Sequence, residues 1–238
     1  MNTVLITGGS RGIGAALVRR FSLSGYRVAF VYHQSHDAAA ALALETGALA
    51  ICADVAVASE VDRAVREATE QLGHIDLLIN NAAIAGFSLF TDITDAAWSR
   101  MMGVNLNGAF YFSRAVLPGM IARKQGCIIN ISSMWGQVGA SCEVHYSTAK
   151  AGLIGLTRAL AKEVGPSGIR VNCIAPGVID TEMNASLCEE DLRALCEETP
   201  LGRIGTVSDV AEAAFFLAGE GASFITGQVL GVNGGFVI

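Results

Sequence analysis

Two side chains that can move a proton stand four residues apart in the second half of the chain. Tyr146 and Lys150 occur in the run YSTAKAGLIGLTRALAKEV, which has a helical period, so the sequence predicts both on one face of a helix, one turn apart. An ammonium group stabilises a nearby phenolate. We therefore expect Lys150 to lower the pKa of Tyr146 from about 10 towards the working range of an acid catalyst.

A hydroxyl group is expected near this pair. Ser132 and Ser133 close the apolar run CIINIS, and Ser133 precedes Tyr146 by thirteen residues. Ligands of parallel sheets bind at the carboxyl ends of the strands, so the sequence predicts Ser133 at a ligand-binding edge. A solvated strand-end hydroxyl is the alternative interpretation.

A glycine-rich turn follows the first apolar run. The run TVLIT leads directly into GGSRGIG (8–14) and then into the amphipathic sequence AALVRRFSLSG. A strand, a glycine turn and a helix N-terminus bring backbone N–H groups and the positive helix end against a pyrophosphate, and glycine is needed where a side chain would collide. The alternative is a tight turn without a ligand.

The end of the second apolar run indicates which dinucleotide is preferred. An acid at this point holds a free ribose 2′-hydroxyl, whereas a cation meets a 2′-phosphate. Here the run ends in Tyr32-His33-Gln34-Ser35, which contains no carboxylate, and Arg11 in the glycine turn is a bidentate phosphate donor. The sequence therefore favours NADPH over NADH, with His33 either assisting or lying in a solvated loop.

These groups need a scaffold of alternating strands and helices. Short β-rich runs, apolar throughout, alternate with longer helical patterns, as in parallel sheets covered on both faces. The seven predicted strands are TVLIT (3–7), RVAFVY (27–32), ALAIC (48–52), DLLIN (76–80), CIINIS (127–132), IRVNCIA (169–175) and QVLGV (228–232). With 238 residues and no linker or repeat, the sequence predicts a single α/β domain over 1–238, a doubly wound Rossmann sheet.

Composition and charge exclude several classes of function. Hydrophobic residues make up 52% of the chain and charged residues 16%, which indicates a folded core. The net charge is −6 without a basic cluster, which argues against nucleic acid as a partner. The N-terminus lacks signal-peptide features and no apolar stretch reaches the roughly 18 residues of a membrane span, so we expect a cytoplasmic protein with no membrane association.

The cysteines and the acids are distributed unevenly. The six cysteines show neither CxxC nor Cys/His pairing, so neither a metal site nor a disulfide framework is expected, and all except Cys142 are interpreted as reduced core thiols. Between Thr181 and Pro200, six acids and one base carry −5 of the net charge of −6. Because this segment follows a strand end, we expect a mobile acidic lid over the substrate at 181–200.

Several motifs occur together in an order and spacing that resemble the short-chain dehydrogenase/reductase family, over essentially the whole chain. They are TGGSRGIG (7–14), Asp54-Val55, NNAA (80–83), Asn105 in VNLNG, Ser133, YSTAK (146–150) and PGVIDT (176–181). The resemblance implies an NAD(P)H-dependent enzyme acting on alcohol or carbonyl groups. The carboxyl-terminal VNGG (232–235) resembles the tetramer contact of the family, which implies a homotetramer.

The resemblance also implies roles for individual residues. Tyr146 would protonate the substrate carbonyl oxygen as hydride reaches its carbon, and Ser133 would hydrogen-bond the same oxygen. Lys150 would hold the nicotinamide ribose, and Asn105 would support a water in the proton relay, a helix cap being its alternative role. The residues implied to contact the dinucleotide are Gly8, Ser10, Arg11, Gly12, Ile13, Gly14, Tyr32, His33, Asp54, Val55, Asn81, Ala82, Tyr146, Lys150, Pro176, Gly177, Val178 and Thr181.

Two protein-tethered substrates stay open. The run at 149–181 resembles bacterial 3-oxoacyl-acyl-carrier-protein reductases, whose basic residues dock the acidic carrier. Here Lys124 stands at one such position, but Ser167 replaces an arginine at another, and an acidic lid would repel an acidic carrier.

The run SSMWGQVGASCEVHYS (132–147) instead resembles a group of enzymes that reduce a 5-aminopentanone adduct on elongation factor P. A carboxylate at Glu143 favours a cationic substrate group, and Trp135 can add a cation–π face. A rim carboxylate paired with water or a base is the alternative interpretation of Glu143. A non-catalytic dinucleotide sensor or scaffold is the alternative function of another class.

Overall fold

A computed structural model of the chain describes residues 2–184 and 188–238. In this part of the chain, seven strands form one parallel sheet: β1 (Thr3–Thr7), β2 (Arg27–Tyr32), β3 (Leu49–Cys52), β4 (Leu77–Asn80), β5 (Gly126–Ile131), β6 (Ile169–Pro176) and β7 (Val229–Val232). Their order across the sheet is β3-β2-β1-β4-β5-β6-β7. The predicted doubly wound α/β fold is confirmed, and the strand bounds differ from the predicted ones by at most one residue.

Helices cover both faces of the sheet. The α-helices of the described residues are α1 (Gly12–Leu23), α2 (His36–Thr46), α3 (Ala58–Leu72), α4 (Asp95–Met102), α5 (Gly108–Arg123), α6 (Trp135–Val138), α7 (Val144–Val164), α8 (Glu189–Glu198) and α9 (Val207–Ala218). One buried layer joins the sheet to α1, α2 and α9, and the other joins it to α3, α5 and α7. None of these helices is both long and apolar enough to cross a membrane.

Alternating side chains on each strand feed the two layers. On β1, Val4 and Ile6 belong to the first layer and Leu5 to the second, and all three are fully buried. Burying such a side chain contributes about 1.5–3 kcal/mol to the free energy of unfolding. Because both faces of the sheet are buried, the strands are apolar throughout and do not alternate between apolar and polar residues.

The order of the strands reverses between β1 and β4. Register pairs join Val4 to Leu77 and Ile6 to Ile79 on these two strands, and the chain winds outward from them in both directions. In open α/β sheets, the cleft for ligands lies at the carboxyl ends of the strands at such a point. The candidate site is therefore expected above β1 and β4.

The expectation that the cysteines other than Cys142 are core thiols is wrong for three of them. Cys127 and Cys173 lie in central strands, where burial raises the pKa of each thiol to about 11, but Cys52 and Cys188 are exposed and Cys196 is half-buried. Cys52 ends the edge strand β3, and the other two belong to α8 or its N-cap, a helix with no buried side chain. An apolar sequence neighbourhood does not ensure burial at the end of an edge strand or on a surface helix.

Candidate active site

Tyr146 and Lys150 lie in the first two turns of α7, and both are buried. The Lys150 Nζ lies 5.6 Å from the centroid of the Tyr146 ring and donates a hydrogen bond of 2.8 Å to the Ile131 carbonyl oxygen, at the end of β5. The predicted geometry, with both groups on one helix face, is thus present. The strand end anchors the ammonium group beside the phenol.

The expected effect on the tyrosine pKa is wrong for the protein without a ligand. Burial raises the pKa of Tyr146 to about 12, opposed by the Ser133 hydroxyl and assisted by the negative charge of Glu143. Burial also lowers the pKa of Lys150 to about 8. Desolvation disfavours the charged form of each group, and it is the largest cause of both pKa shifts. The phenol accordingly keeps its proton at neutral pH.

Ser133 sits between the end of β5 and α6, beside this pair. Its Oγ accepts a hydrogen bond of 3.1 Å from the backbone N–H of Trp135, the first residue of α6. The next residue, Gly136, is held so close to α7 that a Cβ there would lie 2.8 Å from the Lys150 carbonyl carbon. A glycine at this position therefore lets α6 bring Ser133 near Tyr146.

The buried side chain of Asn105 forms hydrogen bonds to the backbone of the loop after β4. It lies in a π-helical turn, Gly103–Asn107, between α4 and α5. Its Oδ1 accepts from the Ile84 N–H at 2.8 Å, and its Nδ2 donates to the Ile84 carbonyl oxygen at 2.8 Å and to the Met101 sulfur at 3.1 Å. The side chain does not cap a helix here, and its amide is already engaged with the protein.

The glycine turn between β1 and α1 has the shape that a pyrophosphate requires. A Cβ at Gly14 would collide with the Gly8 carbonyl oxygen, whereas one at Gly12, where φ is +51°, would meet only the Thr181 methyl group at 3.5 Å. Arg11 is the N-cap of α1, and this helix has neither a capping side chain nor an acid in its first turn. The uncapped N-terminus and the space at Gly12 fit a dinucleotide's phosphates.

The loop after β4 closes the other side of this turn. The Thr7 hydroxyl accepts hydrogen bonds of 3.0 Å from the N–H groups of Asn81 and Ala82. The Asn81 side chain donates to the carbonyl oxygens of Thr7 and Gly8 at 3.0 and 3.1 Å. Two of the predicted cofactor residues thus hold the glycine turn from across the strand reversal.

The part of the predicted dinucleotide site at the end of β2 is more charged than the sequence suggests. Tyr32 ends β2, and His33 Nε2 lies 3.9 Å from Asp54 Oδ2, so a carboxylate does stand near the end of this strand. Arg100 on α4 pairs with the same oxygen at 2.7 Å. Although burial opposes it, the Ala56 N–H, Arg100 and His33 together lower the pKa of Asp54. Val55, the next residue, is buried.

The segment after β6 reaches back to the glycine turn. The Pro176 carbonyl oxygen accepts from the Met134 N–H at 2.9 Å, and Gly177 is in close contact with Asn233 of the VNGG motif. The Val178 carbonyl oxygen accepts from the Gly205 N–H at 2.8 Å. Thr181 follows and faces Gly12, so of these four predicted residues it is Thr181 that the structure brings to the glycine turn.

Glu143 stands at the N-cap of α7, half-buried, and burial raises the pKa of its carboxyl group. Its carboxylate forms no ion pair and no hydrogen bond with the described residues. The preceding residue, Cys142, has a left-handed backbone with φ +62°, and its carbonyl oxygen accepts from the Ser88 N–H at 2.8 Å. Trp135 packs edge-to-face on Phe236, with ring centroids 5.9 Å apart, near the carboxyl terminus.

Three residues at the site make contacts that the sequence did not predict. Arg100 pairs with Asp54, and Glu182 pairs with Arg11 at 2.7 Å. His145 is buried beside Gly86, and its Nδ1 has no hydrogen-bond partner among the described residues. The acidic run contained Glu182, but its partner is 171 residues away, so no local pattern could find the pair. In the described part of the chain, no three His, Cys, Asp or Glu side chains cluster as a metal site.

Comparisons with known proteins agree over nearly the full length. A family model described as enoyl-(acyl carrier protein) reductase matches residues 8–237. The chain is 41% identical over 238 residues to the 3-oxoacyl-acyl-carrier-protein reductase FabG of Chlamydia trachomatis, covering 98% of this chain and 96% of that protein. It is 38% identical over 237 residues to the uncharacterised oxidoreductase YmfI of Bacillus subtilis, covering 98% of each.

A solved structure shows the same fold. A double mutant of a Serratia marcescens short-chain dehydrogenase/reductase superposes with a TM-score of 0.91 at 36% sequence identity, covering 99% of this chain and 97% of the other.

Proposed function

Since the chain belongs to the short-chain dehydrogenase/reductase family, and is thus an oxidoreductase of alcohol and carbonyl groups that uses a nicotinamide dinucleotide, we propose that it reduces a 3-oxoacyl group to the hydroxyl with NADPH. The observation that carries this proposal is the buried triad of Ser133, Tyr146 and Lys150 at the carboxyl end of β5. The curated 3-oxoacyl-acyl-carrier-protein reductases among its relatives support the substrate class.

The triad suits the reduction of a carbonyl bond. Two hydroxyl donors, Ser133 and Tyr146, can share one oxygen on which negative charge develops. When bound, the dinucleotide supplies hydride to the carbon of the same bond. Tyr146 holds its proton at neutral pH and donates it to that oxygen, while the Lys150 ammonium beside the ring favours the phenolate left behind.

The preference for NADPH is supported by the charged groups that follow β1 and β2. Arg11 lies in the glycine turn, and His33 follows β2 without an acid in its own run. The nearby carboxylate of Asp54 is paired with Arg100 at 2.7 Å. A 2′-phosphate in this part of the site would meet guanidinium groups and a paired acid, an environment that suits a dianion.

Replacement of the phenol tests the proposed acid. Tyr146→Phe should lower the rate of NADPH oxidation with a small 3-oxoacyl thioester by about 100-fold or more while leaving the NADPH dissociation constant nearly unchanged. Tyr111→Phe, on α5, is the matched control and should keep full activity. A variant at Tyr146 with unchanged turnover would remove this mechanism, and turnover of an enoyl thioester instead of the 3-oxo compound would remove the substrate class.

Glu143 supports a second candidate substrate, the 5-aminopentanone adduct on a lysine of elongation factor P. A half-buried carboxylate with no recorded cationic partner, three residues before Tyr146, suits a substrate that brings an ammonium group. Six acids occur at 181–200, a segment that we propose to cover the substrate and of which residues 185–187 lie outside the described part of the chain. These acids favour such a cation over an acidic carrier protein.

A matched pair of ketones separates the two candidates. With an aminoketone, Glu143→Gln should raise KM about 10-fold or more, because a partly buried ion pair with the substrate is lost. With an uncharged ketone of the same length, KM should change little. Glu163→Gln, an exposed acid on the same helix, is the control. Equal KM values for wild type and Glu143→Gln on the aminoketone would exclude this role of Glu143.

A further inference from the structure

One ion pair joins the glycine turn to the segment after β6. Arg11 Nη1 lies 2.7 Å from Glu182 Oε2. Arg11 is the N-cap of α1, and Glu182 begins the 3-10 turn Glu182–Asn184. The pair therefore bridges the two walls of the cleft that are 171 residues apart in the sequence.

The backbone that carries Glu182 is held in place on its own side. Gly205 exchanges hydrogen bonds with this segment, accepting from the Asp180 N–H at 2.9 Å and donating to the Val178 carbonyl oxygen at 2.8 Å. The Asn184 side chain donates to the Ile179 carbonyl oxygen at 2.8 Å. Glu182 is therefore presented to Arg11 by an ordered turn.

The pair puts a carboxylate where the site otherwise attracts anions. The first turn of α1 contains no acid, so its N-terminal dipole is not compensated from within the helix. Among the described residues, Glu182 is the acid that forms an ion pair with Arg11. The sequence predicts that the same guanidinium group binds the 2′-phosphate of NADPH. A carboxylate carries one negative charge and a phosphate up to two, so the phosphate is the stronger competitor for Arg11.

We propose that Glu182 is a specificity-determining residue for the cofactor: its carboxylate occupies Arg11 until the 2′-phosphate of NADPH displaces it. The proposal rests on the proposed use of NADPH. Binding of NADPH then costs the Arg11–Glu182 contact and frees the start of the acidic segment, whereas NADH, which has no 2′-phosphate, can leave the contact intact.

Binding measurements without any carbonyl substrate test this idea. Both side chains are more than half exposed, 58% and 67%, so the contact has the strength of a surface ion pair, equivalent to a factor of about 2 to 5 in binding. Glu182→Gln should tighten NADPH by this factor, measured by fluorescence titration of the reduced cofactor, and leave the NADH dissociation constant unchanged. Glu190→Gln, an acid of α8 outside this contact, should change neither.

A double-mutant cycle identifies Arg11 as the shared partner. Arg11→Gln should weaken NADPH binding, and in that background Glu182→Gln should have no further effect. Weaker NADPH binding by Glu182→Gln, an equal gain for NADH, or an equal gain without Arg11 would each overturn the proposal. If wild type bound no NADPH at all, the proposed function would fail together with it, whereas normal NADPH binding with no effect of Glu182→Gln would overturn this inference alone.

Discussion

At the scale of single residues, burial penalises the ammonium group of Lys150. It is 2% exposed, with the Ile131 carbonyl oxygen as its recorded hydrogen-bond acceptor, and its pKa falls from 10.5 to about 8. The unfolded chain therefore binds this proton more tightly than the folded protein does. We therefore propose that Lys150 is retained for the chemistry of Tyr146 rather than for stability.

The linkage between this proton and folding predicts a pH effect. The penalty is present in full below about pH 8 and fades as the pH rises towards 10.5, so this contribution to stability increases with pH. The substitution Lys150→Met removes this burial penalty. The difference in unfolding free energy, variant minus wild type, should fall by roughly 2 to 3 kcal/mol between pH 7 and pH 10.

Urea unfolding followed by circular dichroism at several pH values measures this difference. Lys162→Met changes an exposed lysine of the same helix and should give a curve parallel to that of wild type. A parallel curve for Lys150→Met as well would mean that the amine carries no burial penalty.

At the scale of elements, the close contact of α6 with α7 sets the position of Ser133. A Cβ at Gly136 would lie 2.7 Å from Ser132 Oγ and 2.8 Å from the Lys150 carbonyl carbon, both of which are buried. Gly136→Ala should therefore push α6 outward, lower the free energy of unfolding by about 1–3 kcal/mol, and reduce turnover by about 10-fold or more, because a misplacement of about 1 Å at a reacting centre is costly.

Thermal unfolding and steady-state kinetics on the two alanine variants check this expectation. Gly221→Ala is the control, since its added Cβ would make only an ordinary contact of 3.6 Å with Phe216. Unchanged turnover in Gly136→Ala would show that the spacing of α6 and α7 does not position Ser133.

The sequence was sufficient for features that a short segment determines. The glycine turn, the apolar strands and the pairing of Tyr146 with Lys150 follow from local pattern, and the structure has all three. Burial and distant contacts do not follow from local pattern. The raised pKa of Tyr146 depends on desolvation by the whole fold, and the Arg11–Glu182 contact depends on how β6 returns to β1.

At the scale of the whole molecule, two regions of the sequence are among those that expose large apolar side chains. The first, 216–238, contains the edge strand β7 and includes Phe216, Phe224, Leu230 and Ile238, and the second, 87–110, lies between β4 and the start of α5 and includes Phe87, Leu89, Phe90 and Phe110. Exposed apolar side chains that lie together mark association surfaces. With the VNGG motif, they lead us to propose a homotetramer that uses two different two-fold interfaces.

Charged substitutions in each region test this assembly. Phe224→Asp and Phe110→Asp should each convert tetramers to dimers, and the double variant should be monomeric, as measured by light scattering after size-exclusion chromatography. Glu220→Gln, a polar change beside the first region, should leave the mass unchanged. A wild type that elutes as a monomer would contradict the proposed assembly.

Helix α8 carries five acids and has no fully buried side chain. Substitutions in this helix should therefore cost little stability in the part of the fold that holds the dinucleotide and Tyr146. A library of variants confined to 188–198 should yield reductases with new carbonyl substrates, while the proposed catalytic and dinucleotide-binding residues stay unchanged.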